Sequence, residues 1–194
     1  TIDVCRGDEA WNSSQVWYMP FDDLNAEVTS DITWWPWREW YYTINVCNFA
    51  ISRCGEDNSQ LSNKMKRIKG QVLFLRGLSY YNLVGYYQNP PLITDYATYS
   101  SLDGLYTTNS TYDNVLDQVE KDFHEAMELL PSRDEGGEWA GGRATCGAAA
   151  GYYARALMMR QKYSDALTVL KDIIGKKYGT YRLMSNYGDN FREG

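Results

Sequence analysis

Apolar residues recur at helical spacing in five segments of the chain. The first segment carries one stripe of residues spaced by four and three: Trp40, Ile44, Cys47, Ile51 and Cys54. Pro36 precedes the stripe, and proline is favoured in the first turn of a helix. Gly55 follows the stripe, and glycine commonly ends a helix. The pattern therefore predicts a helix that starts at Pro36 and ends at Gly55.

Four further helices are predicted at about 64–87, 112–130, 144–160 and 164–174. After Leu73 the second is apolar on nearly every side, which indicates that other helices surround it. In the last pair, Ala154 and Ala166 lie twelve residues apart, as the two small residues of a tetratricopeptide hairpin do. No stretch alternates with period two. The predicted fold is mostly α, with tetratricopeptide-like hairpins and long irregular loops.

Residues 1–35 are predicted to be an irregular, aromatic-rich segment, and 36–194 the helical scaffold. Trp40 lies on the apolar stripe and Trp37 one turn before it, so both are assigned to the core. Trp34 and Trp35 precede the predicted helix, in chain that Pro36 pushes towards an extended conformation. No stripe includes them, so their rings are available for a ligand.

Composition and charge narrow the possible partners. Seventeen Tyr and seven Trp raise the aromatic content to 15%, and both residue types suit surfaces that are flat yet wettable. A formal net charge of −6 and a pI near 4.8 argue against nucleic acid and anionic membranes. The chain contains no apolar run of membrane-spanning length and no signal-peptide pattern at its start, so any export signal is expected upstream.

Residues suited to catalysis or metal binding are scarce. The single histidine, His124, is predicted to lie on the polar face of its helix, near Asp122, Glu125 and Glu128. One histidine allows neither a Ser-His-Asp triad nor a Cys/His zinc site. The glycine-rich loop 136–142 lacks the Lys-Ser/Thr of a P-loop. We therefore expect no enzymatic activity, no cofactor and no metal.

The four cysteines form no metal-binding pattern. Cys47 and Cys54 lie two helical turns apart, about 10 Å, which exceeds the ~7 Å limit for a disulfide. Free and mostly buried thiols are expected.

Five stretches resemble, in order, the signature of the SusD/RagB family of outer-membrane nutrient-binding lipoproteins. Residues 69–94, KGQVLFLRGLSYYNLVGYYQNPPLIT, resemble the family's helix that ends in a "VPL" loop. The other four are 115–131 (VLDQVEKDFHEAMELLP), 142–156 (GRATCGAAAGYYARA), 186–191 (NYGDNF) and the helix with Trp37, Tyr41, Ile44 and Asn48. Gln71 and Cys146 depart from the pattern, where the family commonly has an acidic residue and Lys.

The resemblance implies a function as well as a fold. It implies a SusD-like tetratricopeptide scaffold, with 1–194 forming the N-terminal portion of one longer domain. It also implies a surface-exposed outer-membrane lipoprotein, anchored through an upstream cysteine. Such a protein binds a glycan and delivers it to a SusC-like TonB-dependent transporter, without catalysis.

Candidate ligand-binding residues lie at or before the first helix. Trp34 and Trp35 are the first candidate platform, because sugar faces stack on flat rings. The second platform and the candidate hydrogen-bonding partners are Trp17, Tyr18, Asp22, Asp31 and Arg38. Three alternatives stay open: the two indoles pack against the scaffold or transporter, the ligand is a peptide, or the helices form a pure protein-interaction module.

Overall fold

The computed structural model describes residues 31–55, 57–100, 104, 106–139 and 141–191, together with Met19. Within these residues it contains five α-helices and no strand, which confirms the mostly α fold. The helices are α1 (Asp31–Cys54), α2 (Asn63–Tyr87), α3 (Tyr112–Leu129), α4 (Cys146–Met159) and α5 (Tyr163–Ile174). Short 3₁₀ turns cover Asn58–Gln60, Tyr96–Ser100, Arg133–Glu135, Gly137–Trp139 and Tyr187–Phe191.

Side-chain caps explain why α2, α3 and α4 begin where they do. The hydroxyls of Ser62, Thr111 and Thr145 each accept a hydrogen bond from a backbone N–H in the first turn of the helix that follows. Gly55, with a φ of +82°, lies just after the end of α1, as predicted. These boundaries agree with the predicted helices to within two residues.

The predicted start of α1 was wrong. The helix begins at Asp31, five residues before Pro36, and Trp34 and Trp35 are helical rather than extended. A proline inside a helix removes one N–H donor and crowds the carbonyl four residues earlier, but it does not force the helix to end there. The negative charge of Asp31 in the first turn also favours this start.

The helices pack in sequence order, with α2 between α1 and α3, and α4 between α3 and α5. The buried core includes Tyr80, Leu83, Val119, Phe123 and Ala149. Ala154 and Ala166 are both buried where α4 meets α5, as expected for a tetratricopeptide-like hairpin.

A buried ion pair links α2 to α3. The Arg76 guanidinium donates two hydrogen bonds to the Asp122 carboxylate, with Nε–Oδ2 at 2.8 Å and Nη2–Oδ1 at 2.7 Å. Gln118 donates to Asp122 Oδ1 at 2.7 Å, and Arg76 Nη1 donates to Asn48 Oδ1 of α1 at 2.8 Å. The paired charges satisfy each other away from water.

The position predicted for Asp122 was therefore wrong. Its side chain is 1% exposed rather than solvated beside His124. Asp122 lies three residues after Val119 and next to Phe123, among the buried residues of α3. A carboxylate can be buried there because the guanidinium opposite compensates for its lost hydration.

The loop after α2 is fixed by side chains from two helices. Asn48 donates to the Ile93 carbonyl at 2.8 Å, and the Tyr80 hydroxyl contacts both the carbonyl and the N–H of Ile93 at 2.8 Å. Tyr41 donates to the Pro91 carbonyl at 2.6 Å. The loop therefore holds α1 against α2.

The glycine-rich loop is held against α2 by Trp139. Its buried ring has guanidinium carbons of Arg67 and Arg143 each 5.6 Å from the ring centroid. Arg143 also donates to Gln71 of α2 at 3.0 Å. These contacts attach the residues just before α4 to α2.

Removal of the Asp122 carboxylate should strongly destabilise the fold. In Asp122→Ala the Arg76 guanidinium stays buried without its partner, which costs about 3–5 kcal/mol for comparable pairs. Urea unfolding of the intact protein measures this loss. Asp117→Ala on the same helix is the control, because Asp117 is mostly exposed in its ion pair with Arg160. Equal losses of unfolding free energy in the two variants would contradict the stabilising role of the buried Arg76–Asp122 pair.

The buried thiols should make stability fall at alkaline pH. Cys47, Cys54 and Cys146 are free and buried, as predicted, and Cys5 lies outside the described residues. Burial raises the pKa of Cys47 from 9.0 to about 11. The unfolded thiol ionises first, so its contribution to stability is complete below pH 9.0 and is lost as pH rises to about 11. In Cys47→Ala the free energy of unfolding should fall less between pH 9.0 and about 11 than it does in the wild-type protein. An equal fall in both proteins would contradict the effect of burial on Cys47.

Candidate ligand-binding site

The first turns of α1 bring together three of the predicted ligand-binding residues. Trp34 and Trp35 are 50% and 56% exposed. The guanidinium carbon of Arg38 lies 5.1 Å from the Trp34 ring centroid and 5.3 Å from that of Trp35. Both distances are within the range of cation–π interactions. The result is a pair of exposed indoles next to a shared hydrogen-bond donor.

The opposite face of the same turns is packed into the protein. Trp37 contacts Tyr41 and Tyr87 with centroid distances of 4.8 and 4.9 Å, and Trp40 stacks on Tyr86 at 5.4 Å. Trp37 and Trp40 thus pack against the core, as predicted. The aromatic residues at the start of α1 divide into an inner and an outer set according to helical phase.

Tyr87 supports the helix near Pro36. Its hydroxyl donates to the Thr33 carbonyl, next to the carbonyl of Ile32 that Pro36 leaves without a helical donor. Burial raises the pKa of Tyr87, and a backbone hydrogen bond with Trp37 partly opposes that rise. Tyr87 therefore attaches the turns that carry Trp34 and Trp35 to the end of α2.

The charged groups near the indoles are exposed. Arg38 pairs with Glu39, with Nη2–Oε1 at 2.6 Å, and each side chain is about half exposed. Asp31 lies exposed at the first position of α1, one turn before Trp34. An exposed ion pair contributes little to stability, so Arg38 can exchange its contacts for those of a ligand at small cost. Trp17, Tyr18 and Asp22 lie outside the described residues.

Sequence reasoning missed the continuation of this exposed aromatic surface along α1. Tyr42 is 66% exposed and Phe49 is 41% exposed. Phe49 contacts Tyr96 edge-on at 5.0 Å, and the Arg53 guanidinium carbon lies 5.0 Å from its ring centroid. Their positions in the sequence could have identified them. Tyr42 and Phe49 lie outside the apolar stripe of α1, on a helix face where polar residues are usual.

A separate cleft of about 1260 Å³ lies between the ends of α1, α2 and α3, and Trp34 and Trp35 do not line it. Lys69 inside it donates to the Gly55 carbonyl at 3.1 Å and pairs with Glu125 at 3.2 Å. Burial would raise the pKa of Glu125, but hydrogen bonds from Asn58 and Lys69, together with the positive charges of Lys69 and Lys121, lower it overall. Glu125 is thus half-buried rather than solvated, whereas His124 and Glu128 are exposed as predicted.

Two charged residues of this cleft make structural contacts with each other and with the end of α1. Lys69 forms an ion pair with Glu125 and donates a hydrogen bond to the carbonyl of Gly55, just after the end of α1. Among the described residues no group of His, Cys, Asp and Glu side chains could hold a metal ion.

The sequence matches a family model over residues 3–158, most of the chain, described as "SusD-like: starch-binding associating with outer membrane". The chain belongs to the SusD-like family. The fold and the order of motifs seen in the sequence agree with this assignment.

Solved SusD-like structures share the fold. A SusD superfamily protein from Bacteroides vulgatus is 20% identical, with a TM-score of 0.84 over 99% of this chain and 40% of the other. A laminarin-binding SusD-like protein is 24% identical, with a TM-score of 0.78 over 92% and 38%. A SusD-like carbohydrate-binding protein from Bacteroides fragilis is 23% identical, with a TM-score of 0.76 over 94% and 33%.

At these identities the likeness establishes the SusD-like fold alone. The chain spans about a third to two fifths of the length of these structures. A comparison with curated proteins found no match. Among the helices described here, none combines the length and apolar character of a membrane span.

Loss of the Tyr87 hydroxyl should loosen the indole-bearing turns of this SusD-like chain. Tyr87→Phe removes the donor to Thr33 and should lower the free energy of unfolding by about 1 kcal/mol. Amide hydrogen exchange in residues 33–38 should accelerate. Tyr42→Phe is the control, because Tyr42 lies on α1, the helix that contains residues 33–38, and its ring is mostly exposed. Unchanged exchange in Tyr87→Phe would show that Pro36 needs no such support.

Proposed function

We propose that this chain is the N-terminal portion of one SusD-like domain in a non-catalytic, oligosaccharide-binding lipoprotein of the outer-membrane surface. In this proposal the protein binds glycan fragments and delivers them to a SusC-like TonB-dependent transporter. The short span of the chain relative to its solved relatives supports a position within a larger domain. The family description, starch-binding associating with the outer membrane, supports the class of ligand and the location.

The exposed pair Trp34 and Trp35 is the observation that carries the proposal. An indole offers a large flat apolar face and one N–H donor, which matches the alternating C–H and hydroxyl groups of a pyranose ring. Both rings are about half exposed, whereas Trp37, two residues after Trp35, packs against the core. Arg38 lies beside both rings and supplies directional donors for sugar hydroxyls.

The names of two relatives agree with this ligand class. One similar structure is a laminarin-binding SusD-like protein, and another is surface glycan-binding protein A from Bacteroides fluxus. The latter is 20% identical, with a TM-score of 0.77. These names support glycan as the class of ligand for this chain, and leave the particular sugar open.

The polar chemistry of the described residues favours binding over catalysis. The carboxylates of Asp117 and Glu120 both pair with Arg160. Glu120 also pairs with Lys162, with Nζ–Oε2 at 2.8 Å. Both carboxylates are occupied by ion pairs between structural elements, which supports a binding role rather than catalysis. These groups connect α3 to the turn between α4 and α5.

Substitution of the two indoles should weaken glycan binding. In the intact protein, Trp34→Ala and Trp35→Ala should each reduce affinity for a bound oligosaccharide by about tenfold, the loss of one good stacking contact. Isothermal titration calorimetry measures the change. The matched control is Tyr106→Ala, which removes a ring that is 83% exposed outside α1.

Three outcomes would contradict the proposal. Unchanged affinity in both tryptophan variants would reject the indole platform. Binding to a peptide pool but not to a glycan array would identify a peptide-capturing protein. If neither ligand binds, and the indole variants instead lose copurification with the transporter, the surface is a protein interface.

A further inference from the structure

The outer face of α1 carries rings well beyond Trp34 and Trp35. At 100° per residue, Trp34, Trp35, Tyr42 and Phe49 fall within one arc of about 100°, opposite the buried stripe. Arg38 lies in the same arc, and in the sequence it falls between Trp35 and Tyr42. We call these residues, together with Tyr96 against Phe49, the α1 aromatic face.

The rings of this face are regularly spaced. Tyr42 follows Trp35 by seven residues, and Phe49 follows Tyr42 by seven. Seven residues correspond to two helical turns, or about 10.5 Å along the axis. From Trp34 to Phe49 the face extends for about 22 Å. A disaccharide cannot reach from one end to the other, but an extended chain of several pyranose rings can.

The chemistry of this face differs from that of another exposed apolar surface in the same chain. On α5 the exposed apolar positions are Tyr163, Leu167, Leu170 and Ile174, spaced by four, three and four. The last three are aliphatic, as in a surface that packs against another helix. On α1 the corresponding outer positions are mainly aromatic, and two guanidinium groups lie beside the rings. Flat rings with nearby donors suit a sugar chain, whereas branched aliphatic side chains suit a helix.

The two arginines lie at opposite ends of the face. The Arg38 guanidinium contacts both indoles, and the Arg53 guanidinium contacts Phe49. Arg38 pairs with Glu39, so the first end of the face carries little net charge. This arrangement offers hydrogen-bond donors along the rings without a strong cationic field, which fits the hydroxyl groups of a neutral glycan.

We propose that the α1 aromatic face binds an extended, linear, neutral glycan along its whole length, with Trp34 and Trp35, Tyr42, and Phe49 as successive stacking positions. This inference rests on the proposed function and specifies the class of ligand. It assigns binding roles to Tyr42, Phe49 and Tyr96. It also means that the protein distinguishes long chains from short ones, because only a long chain contacts every ring.

A chain-length series tests this proposal. Calorimetry on the intact protein would compare a trisaccharide with a hexasaccharide and an octasaccharide of one neutral linear β-glucan that the wild-type protein binds. Wild-type affinity should rise at least tenfold from trisaccharide to hexasaccharide. Tyr42→Ala and Phe49→Ala should each remove most of that gain. Leu167→Ala, at an exposed apolar position on α5, is the matched control and should leave both affinities unchanged.

The outcomes separate this inference from the proposed function. If affinity stops rising at the trisaccharide while Trp34→Ala and Trp35→Ala still lose binding, the long-chain inference is overturned and the proposed function stands. If the wild-type protein binds no oligosaccharide of any length, the proposed function itself fails. If Tyr42→Ala and Phe49→Ala leave hexasaccharide affinity intact but reduce copurification with the transporter, the face binds protein and the inference is overturned.

Discussion

The ion pair between Arg76 and Asp122 is the constraint on which the arrangement of the first three helices depends. The guanidinium of Arg76, on α2, donates hydrogen bonds both to Asp122 of α3 and to Asn48 of α1. Two ions buried in a helical core are tolerated only when their geometry is good and their remaining hydrogen bonds are made. That condition restricts how α1, α2 and α3 can shift relative to one another, in a way that apolar contacts do not.

The same network determines where α1 presents its outer face. Asn48 receives a hydrogen bond from Arg76 on one side and donates to the Ile93 carbonyl on the other. Its side chain is 1% exposed, so the rotation of α1 about its axis is fixed at this point. With that rotation fixed, Trp34, Tyr42 and Phe49 must face away from the core. Exposure of these rings therefore depends on a buried polar contact made by the same helix.

Local signals in the sequence were sufficient for the helices but not for the surface of α1. The boundaries of α2, α3 and α4 were predicted from periodicity, and the side-chain caps that the structure shows at their starts act within one turn. The start of α1 was missed because Pro36 was taken as the first turn, whereas the Tyr87 hydroxyl, 51 residues later, supports the helix there. Asp122 was missed because its cation lies on another helix. Tyr42 and Phe49 were missed because helical periodicity identifies the buried face and gives no reason to search the other one.

The helical conformation of Trp34 and Trp35 changes what these residues can do. In an extended segment, two adjacent rings would point to opposite sides, and binding would have to order the chain. On α1 they lie 100° apart, fixed to a backbone that Tyr87 and the core already hold. A pre-ordered surface loses little conformational entropy when a ligand binds, so each further ring that a ligand reaches adds to affinity rather than offsetting disorder. Selectivity for ligand length is the physical consequence of a rigid helix that carries rings every two turns.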